Sequence, residues 1–282
     1  MTAVKSVFKS EEGKTRILEY YDKMLSKWNV PYNERFIDTT FGRTHILEAG
    51  EKSNPPVFLF HGSSTNALMW TGDIKALRKK HQIFAVDILG EPGKSDETRL
   101  NLSTDENSLW INELLDQPGV DKAVFMGNSL GGWMALDFAI RNPKKVSKLI
   151  LIASSGIMPV KKSFIFKSIF LSIMGEKGME KLGKQIYGSE KLPKEVMDFS
   201  NLVAKHFKPR MGALPLFDEA AFKKLSMPVL YIGGGNDITV DTQKSAEKID
   251  AGAPDARTFV IPNHGHVVFN IMEKIIPFLE TR

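Results

Sequence analysis

The sequence predicts an α/β fold: a mostly parallel central sheet with helices on both faces, interrupted by a helical insertion. Three observations carry that expectation. Short runs recur that are apolar at both alternations, as strands buried on both faces are. Segments with helical spacing separate them, and such alternation implies a parallel sheet. Between Ser155 and Leu225 the alternation stops and only helical patterns remain.

In chain order, residues 1–34 read as a helical extension. Ile17, Leu18, Tyr21, Met24, Leu25 and Trp28 recur at helical spacing, a stripe suited to packing on the main domain. Runs at 35–40 and 44–49 flank Phe41-Gly42-Arg43 and predict a hairpin. Further strands are expected at 57–60, 83–86, 123–126, 149–152, 229–232 and 258–261. Helices are expected at 67–80, 104–115, 131–141, 240–249 and 267–279. The sheet domain is therefore drawn as 35–155 plus 226–282, with 156–225 as a helical cap.

Composition narrows the function. A chain of 282 residues suits one catalytic domain with an insertion. At 42% hydrophobic and 25% charged it reads as a soluble globular protein. The net charge of +5 reads as mild and spread along the chain, which predicts no nucleic-acid partner. The absence of cysteine excludes disulfides, thiol nucleophiles and Cys-ligated metals. Residues 1–10 hold no apolar core of signal-peptide length, so a cytoplasmic location is expected. No run approaches the roughly 18 apolar residues of a membrane span. The longest apolar stretch, 164–174, is broken by Lys167, Ser168 and Ser172, so no stable membrane insertion is expected.

The chemistry concentrates after the strand at 123–126. It runs into Gly127-Asn128-Ser129-Leu130-Gly131-Gly132 and then directly into a helix. In G-x-S-x-G the turn is so sharp that the serine backbone is strained and only small neighbours fit. The serine hydroxyl is thereby exposed at the carboxyl edge of the sheet, near a helix N-terminus that favours developing negative charge. A chance match in a chain with 22 glycines is the bland alternative. The strand–turn–helix setting favours the nucleophile.

With its other motifs, the chain resembles the α/β-hydrolase superfamily, in its serine-nucleophile, carboxylesterase-like branch with a helical cap. Those motifs are His61-Gly62-Ser63-Ser64 after a strand, the stretch Asp87-Ile88-Leu89-Gly90-Glu91-Pro92-Gly93-Lys94-Ser95-Asp96, the serine elbow, and late Asp and His loops. The second motif departs from the family's aromatic-Gly form at Glu91-Pro92, which should change the loop and not the fold. The resemblance implies the order serine, acid, histidine. His264 and His266 are the histidines in a suitable late loop, and the resemblance favours His266. The strand at 229–232 ends in Gly233-Gly234-Gly235-Asn236-Asp237, making Asp237 the candidate acid. Its bland reading is a helix cap, and Asp241 is the weaker alternative inside the expected helix.

An oxyanion needs two preorganised N–H donors. The resemblance implies Leu130, after the nucleophile, and Ser63, after His-Gly. It gives His61 a structural role. The expected mechanism is attack by Ser129 on an acyl carbon, with His266 as base and Asp237 orienting it, then hydrolysis of the acyl-enzyme. No metal or organic cofactor is implied, and the partner is a small-molecule substrate. The oligomeric state stays open.

The cap holds Met158, Phe164, Phe166, Phe170, Met174, Met179 and Met197. Such side chains suit an apolar acyl group, although most are expected simply to bury the cap on the sheet. Lys161, Lys162 and Lys167 also fit a membrane-surface helix, but a solvated face is the expectation. The leading function is hydrolysis of a small or medium apolar carboxylic ester. Carbon–carbon hydrolysis of dienoic ring-cleavage products is the alternative that the elbow suggests. Against it, Val267 follows the histidine where that group has tryptophan, and for the cap arginine that group uses on the substrate's acid group this sequence offers only Arg210 nearby, with Lys161 and Lys162 as partial substitutes. A cofactor-free perhydrolase or haloperoxidase would use the same triad. A hydrolase-fold receptor is the non-catalytic alternative. Dehalogenases and epoxide hydrolases need an aspartate where Ser129 stands.

Overall fold

The computed structural model describes residues 6–188 and 192–281, apart from the side chains of Glu176 and Met179. Helix α1 (Glu11–Ser26) comes first, followed by the hairpin β1 (Asn33–Thr39) and β2 (Gly42–Ala49). The strands β3 (Pro56–Phe60), β4 (Gln82–Val86), β5 (Ala123–Asn128), β6 (Val146–Ile152), β7 (Val229–Gly234) and β8 (Ala256–Ile261) complete one sheet. Its order is β1-β2-β4-β3-β5-β6-β7-β8. The pairs β1–β2 and β2–β4 are antiparallel and all others parallel.

Alternation along the central strands splits the core into two layers. Phe58 and Phe60 face one layer with Phe84 and Phe125, covered by α3 (Glu106–Asp116) and α4 (Leu130–Arg141). Val57 and Leu59 face the other, with Ile83, Met126 and Ile150. That second layer is covered by Tyr21 and Leu25 of α1 and by Ile74 and Leu77 of α2 (Thr71–Leu77). The strand β4 lies on one side of β3 and β5 on the other. The chain therefore reverses direction across the sheet at β3, and ligands of open α/β sheets bind at the carboxyl ends beside such a switch point.

Residues 162–206 form α5 (Lys162–Ile173), α6 (Gly175–Tyr187) and α7 (Lys194–His206), followed by the short α8 (Glu219–Phe222). Ile17 of α1 buries against Val203 and Phe207, so the N-terminal helix also holds α7. Phe222 and Leu225 already belong to the core of the sheet. The chain ends with α9 (Thr242–Gly252) and α10 (Met272–Glu280).

Five sequence expectations change. The segment 67–80 is a 3₁₀ turn at Ala67–Trp70, capped by Asn66, that runs into a shorter α2. The last helix begins at Met272, not at 267, because Asn270 takes a left-handed φ of 58° that a helix cannot continue through. The strand β8 is an edge strand, half-buried or exposed throughout, so its apolar run is not covered on both faces. Apart from Leu171, the apolar residues of α5 are not buried, against the expectation that most of them pack on the sheet. Phe166, Phe170 and Met174 are 72%, 66% and 54% exposed, because the helix rests on its Leu171 side, with Phe164 and Ser168 half-buried. Met158 does pack on the core, Met197 is half-buried, and the side chain of Met179 lies outside the described residues. Nor is the charge spread: residues 161–184 hold six lysines and two glutamates, net +4 of the chain's +5.

Candidate active site

The serine elbow is built by steric exclusion. Ser129 has φ 50° and ψ −106°, a strained conformation for a non-glycine residue. A Cβ on Gly127 would stand 2.2 Å from the Gly131 carbonyl oxygen, and one on Gly131 would stand 2.1 Å from the Phe60 oxygen. One on Gly132 would meet Ser154 at 2.7 Å. Larger residues at these positions would push α4 off the sheet. The strained serine is held from both sides: its N–H donates to Ile152 O at 2.9 Å, and its carbonyl accepts from Trp133 and Ser155 N–H at 3.0 and 3.2 Å.

Asp237 and His266 reach Ser129 from two neighbouring loops. The carboxyl end of β7 packs on the histidine loop so closely that a Cβ on Gly234 would lie 1.9 Å from the Gly265 oxygen. Gly235 N–H donates to Ile261 O at 2.8 Å and Asn236 N–H to His264 O at 2.9 Å, binding the two loops together. The structure thus brings three of the expected residues into one chain. Ser129 Oγ is 2.9 Å from His266 Nε2, and His266 Nδ1 is 2.7 Å from Asp237 Oδ2. His264 points elsewhere, with Nδ1 donating to Pro262 O at 3.1 Å. Asp241 caps α9, accepting from Lys244 N–H at 3.1 Å.

Burial pushes the Asp237 carboxyl up, but the hydrogen bond and charge of His266 and two bonds from Thr239 outweigh it and hold the group below the usual aspartate range. Thr239 is a residue that sequence reasoning missed. Its N–H and Oγ1 both reach Asp237 Oδ1, at 2.6 and 2.7 Å, and Oγ1 lies 2.9 Å from His266 Nδ1. No motif marks a threonine two positions past the acid, so only proximity reveals it.

Ser63 and Leu130 lie on the two segments that meet beside Ser129. Leu130 opens α4, where the first N–H groups have no partner within the helix. The loop carrying Ser63 is docked on the elbow, with Gly131 N–H donating to His61 O at 3.1 Å. A Cβ on Gly62 would come within 3.7 Å of Ser129 Cβ. His61 shapes this loop. Ile88 N–H donates to its Nε2 at 2.9 Å, so the proton sits on Nδ1 and is given to Gly62 O at 2.8 Å. Burial lowers its pKa, in keeping with that neutral tautomer.

Glu91, the departure visible in the second motif, proves to touch the same loop. Its Oε2 accepts Ser64 N–H at 2.6 Å, and Ser64 itself has a left-handed φ of 59°. Burial raises the Glu91 pKa from 4.5 to about 7, against the pull of the Ser64 bond and the charges of Arg99 and Arg210.

A second His–Asp pair exists, in which His45 Nδ1 is 2.9 Å from Asp87 Oδ2. Its other ring nitrogen meets Glu34 at 2.9 Å. Both ring nitrogens thus face carboxylates, and Asp87 also fixes the Ala67 and Lys94 N–H groups. That arrangement closes the turn after β4 and offers no nucleophile. Among the described residues no three His, Asp or Glu side chains group as a metal site would, and no helix is long and apolar enough to cross a membrane.

Known proteins share this framework. The uncharacterized carboxylesterase nap of Bacillus subtilis (strain 168) is 26% identical over 262 residues, covering 90% of this chain and 87% of that protein. Carboxylesterase YbfK of the same organism is 26% identical over 270 residues, covering 93% and 90%. The crystal structure of carboxylesterase CesB (YbfK) from Bacillus subtilis superposes with a TM-score of 0.85 at 25% identity, over 95% of this chain and 99% of that one. The model of the alpha/beta hydrolase fold family matches residues 55–222, more than half of the sequence. The chain belongs to the α/β hydrolase fold family.

Proposed function

We propose that the protein is a serine carboxylesterase acting on small or medium apolar esters. The observation that carries this reading is the continuous chain from Ser129 Oγ through His266 to Asp237, with contacts of 2.9 and 2.7 Å. In it, His266 Nε2 takes the proton of Ser129 Oγ as that oxygen attacks the ester carbonyl carbon. Asp237 accepts the Nδ1 proton's hydrogen bond, fixes the tautomer and stabilises the imidazolium. The N–H groups of Ser63 and Leu130 receive the oxyanion. Collapse of the tetrahedral intermediate expels the alcohol, which takes the proton from His266. Water then attacks the acyl-enzyme by the same route and frees the acid. Two relatives described as carboxylesterases, each spanning most of the chain, support the ester as substrate class. Arg210 lends no support to the carbon–carbon alternative. Its Nη1 donates to Leu100 O at 3.1 Å, and its charge faces Glu91.

The test is hydrolysis of p-nitrophenyl acetate, butyrate and octanoate by the wild type and by Ser129→Ala. The serine variant should lose turnover on the order of 10⁶-fold. The chain-length profile then reports the acyl pocket. Equal rates for both proteins would overturn the assignment of Ser129. Slow turnover of every ester by a folded wild type would overturn the substrate class.

A further inference from the structure

The least explained feature of the molecule is the outer face of α5. Ile165, Phe166, Ile169, Phe170, Ile173 and Met174 are 42%, 72%, 55%, 66%, 81% and 54% exposed. Their spacing of three to four residues places the first five on one face of the twelve-residue α5, and Met174, its C-cap, continues the stripe. Isolated apolar residues on a surface need no explanation, whereas a contiguous stripe marks a contact surface. The charges beside it are one-sided. Lys162 and Lys167 lie on α5 itself, and α6, which packs against it, adds Lys177, Lys181 and Lys184. Glu180 offsets one of these, paired with Lys184 at 2.7 Å. Lys167, Lys181 and Lys184 share one open groove with Asn236 and Ile238.

We propose that α5 docks the protein on an anionic lipid surface, with its apolar stripe in the acyl boundary and the lysines of α5 and α6 on the headgroups. An exposed aromatic and aliphatic face rimmed by lysine is the composition of an interfacial helix. The charge selects the occupant. A second copy of this face would bring two like-charged surfaces together, since α5 and α6 carry five lysines against Glu176 and Glu180, net +3, while an anionic bilayer complements that charge. The face is also tied to the candidate site. Lys161, just before α5, donates its N–H to Thr239 O at 2.7 Å and its Nζ to Asp237 O at 2.6 Å. At the other end of the pair, Ile186 O of α6 accepts His266 N–H at 3.0 Å. Docking through α5 therefore sets the candidate site beside the lipid phase. Resting on the esterase reading, the substrate class becomes esters dissolved in that phase.

Co-sedimentation with vesicles tests the docking independently of turnover. The full chain is spun with vesicles of equal parts phosphatidylglycerol and phosphatidylcholine, or of phosphatidylcholine alone. The wild type should pellet with the anionic vesicles, less with the neutral ones, and be released by salt. Phe166→Ser/Phe170→Ser/Ile173→Ser should abolish pelleting. Lys162→Gln/Lys167→Gln should weaken it about fivefold per lysine. All five positions are exposed, so both variants should keep the wild-type circular dichroism. The triple variant should also keep its rate on p-nitrophenyl acetate in solution and lose rate on a vesicle-embedded ester. No binding by wild type, equal binding to both vesicles, or binding unchanged in both variants would overturn the proposal. A wild-type dimer that becomes monomeric in the triple variant, without vesicle binding, would overturn it in favour of self-association. Failure of the esterase reading alone would leave the sedimentation result intact.

Discussion

Thr239 shows how a single hydroxyl can fix the geometry of the Asp237–His266 pair. Its Oγ1 donates to Asp237 Oδ1 and lies within 2.9 Å of the ring nitrogen that Asp237 also holds. Thr239→Val keeps the shape and removes those bonds. One bond to a charged group is worth about 1.5 kcal/mol or more, so kcat should fall about tenfold with KM nearly unchanged. A fall in stability with normal kcat would assign Thr239 to the fold alone. At this scale the sequence was partly legible. Ser129, Asp237 and His266 sit in loops that glycine patterns mark, whereas Thr239 belongs to no pattern and is recognised only by what it touches. Glu91 stands between these cases, since its departure from the family motif was visible but its hold on Ser64 was not.

Two glycines separate the demands of different elements. Gly131 lies inside α4, where alanine would ordinarily favour the helix. Its missing Cβ is the space that lets α4 touch the backbone at the end of β3, since a Cβ there would stand 2.1 Å from Phe60 O and 2.6 Å from His61 O. Gly131→Ala should therefore destabilise the protein by about 1–3 kcal/mol and lower activity, because the elbow must move away from the loop carrying Ser63. Gly183, inside α6, has nothing within 4 Å of such a Cβ. There the same substitution should stabilise by about 0.5–1 kcal/mol. Urea unfolding of both variants checks the opposite signs, and equal signs would show that helix propensity governs both sites. Helix α5 makes the complementary point. Its apolar composition fits burial, but an apolar stripe does not say which neighbour covers it.

For the whole molecule, pH divides the contributions of two buried carboxyls. Asp237 is held below its ordinary value, so its contribution is present above the unfolded pKa and lost as pH falls through the folded one. Glu91 behaves oppositely. Its pKa rises from 4.5 to about 7, so its contribution is full below 4.5 and is lost as pH climbs to 7. That loss amounts to about 3 kcal/mol by linkage. Glu91→Gln is always neutral and can still accept from Ser64. Relative to wild type, it should gain stability steadily from pH 5 to pH 7 and hold the gain above. Chemical denaturation across that range measures the difference, and a constant offset would mean that Glu91 does not change charge there.

The sequence by itself determined the elements that depend on local pattern. Doubly apolar runs became the central strands, helical spacing gave α1, α3, α4 and α9, and the glycines of 127–132 could accommodate only a tight elbow. Pattern was enough there because burial on both faces and backbone sterics act over a few residues. Tertiary structure decided whatever depended on distant neighbours. It put β8 at an edge, turned α5 outward and gathered the lysines of α5 and α6. It also set His266, and not His264, between Asp237 and Ser129, and put Thr239 against that pair and Glu91 against Ser64. Those outcomes follow from which surfaces meet, as His266 meets Asp237 across 29 positions and Glu91 meets Ser64 across 27.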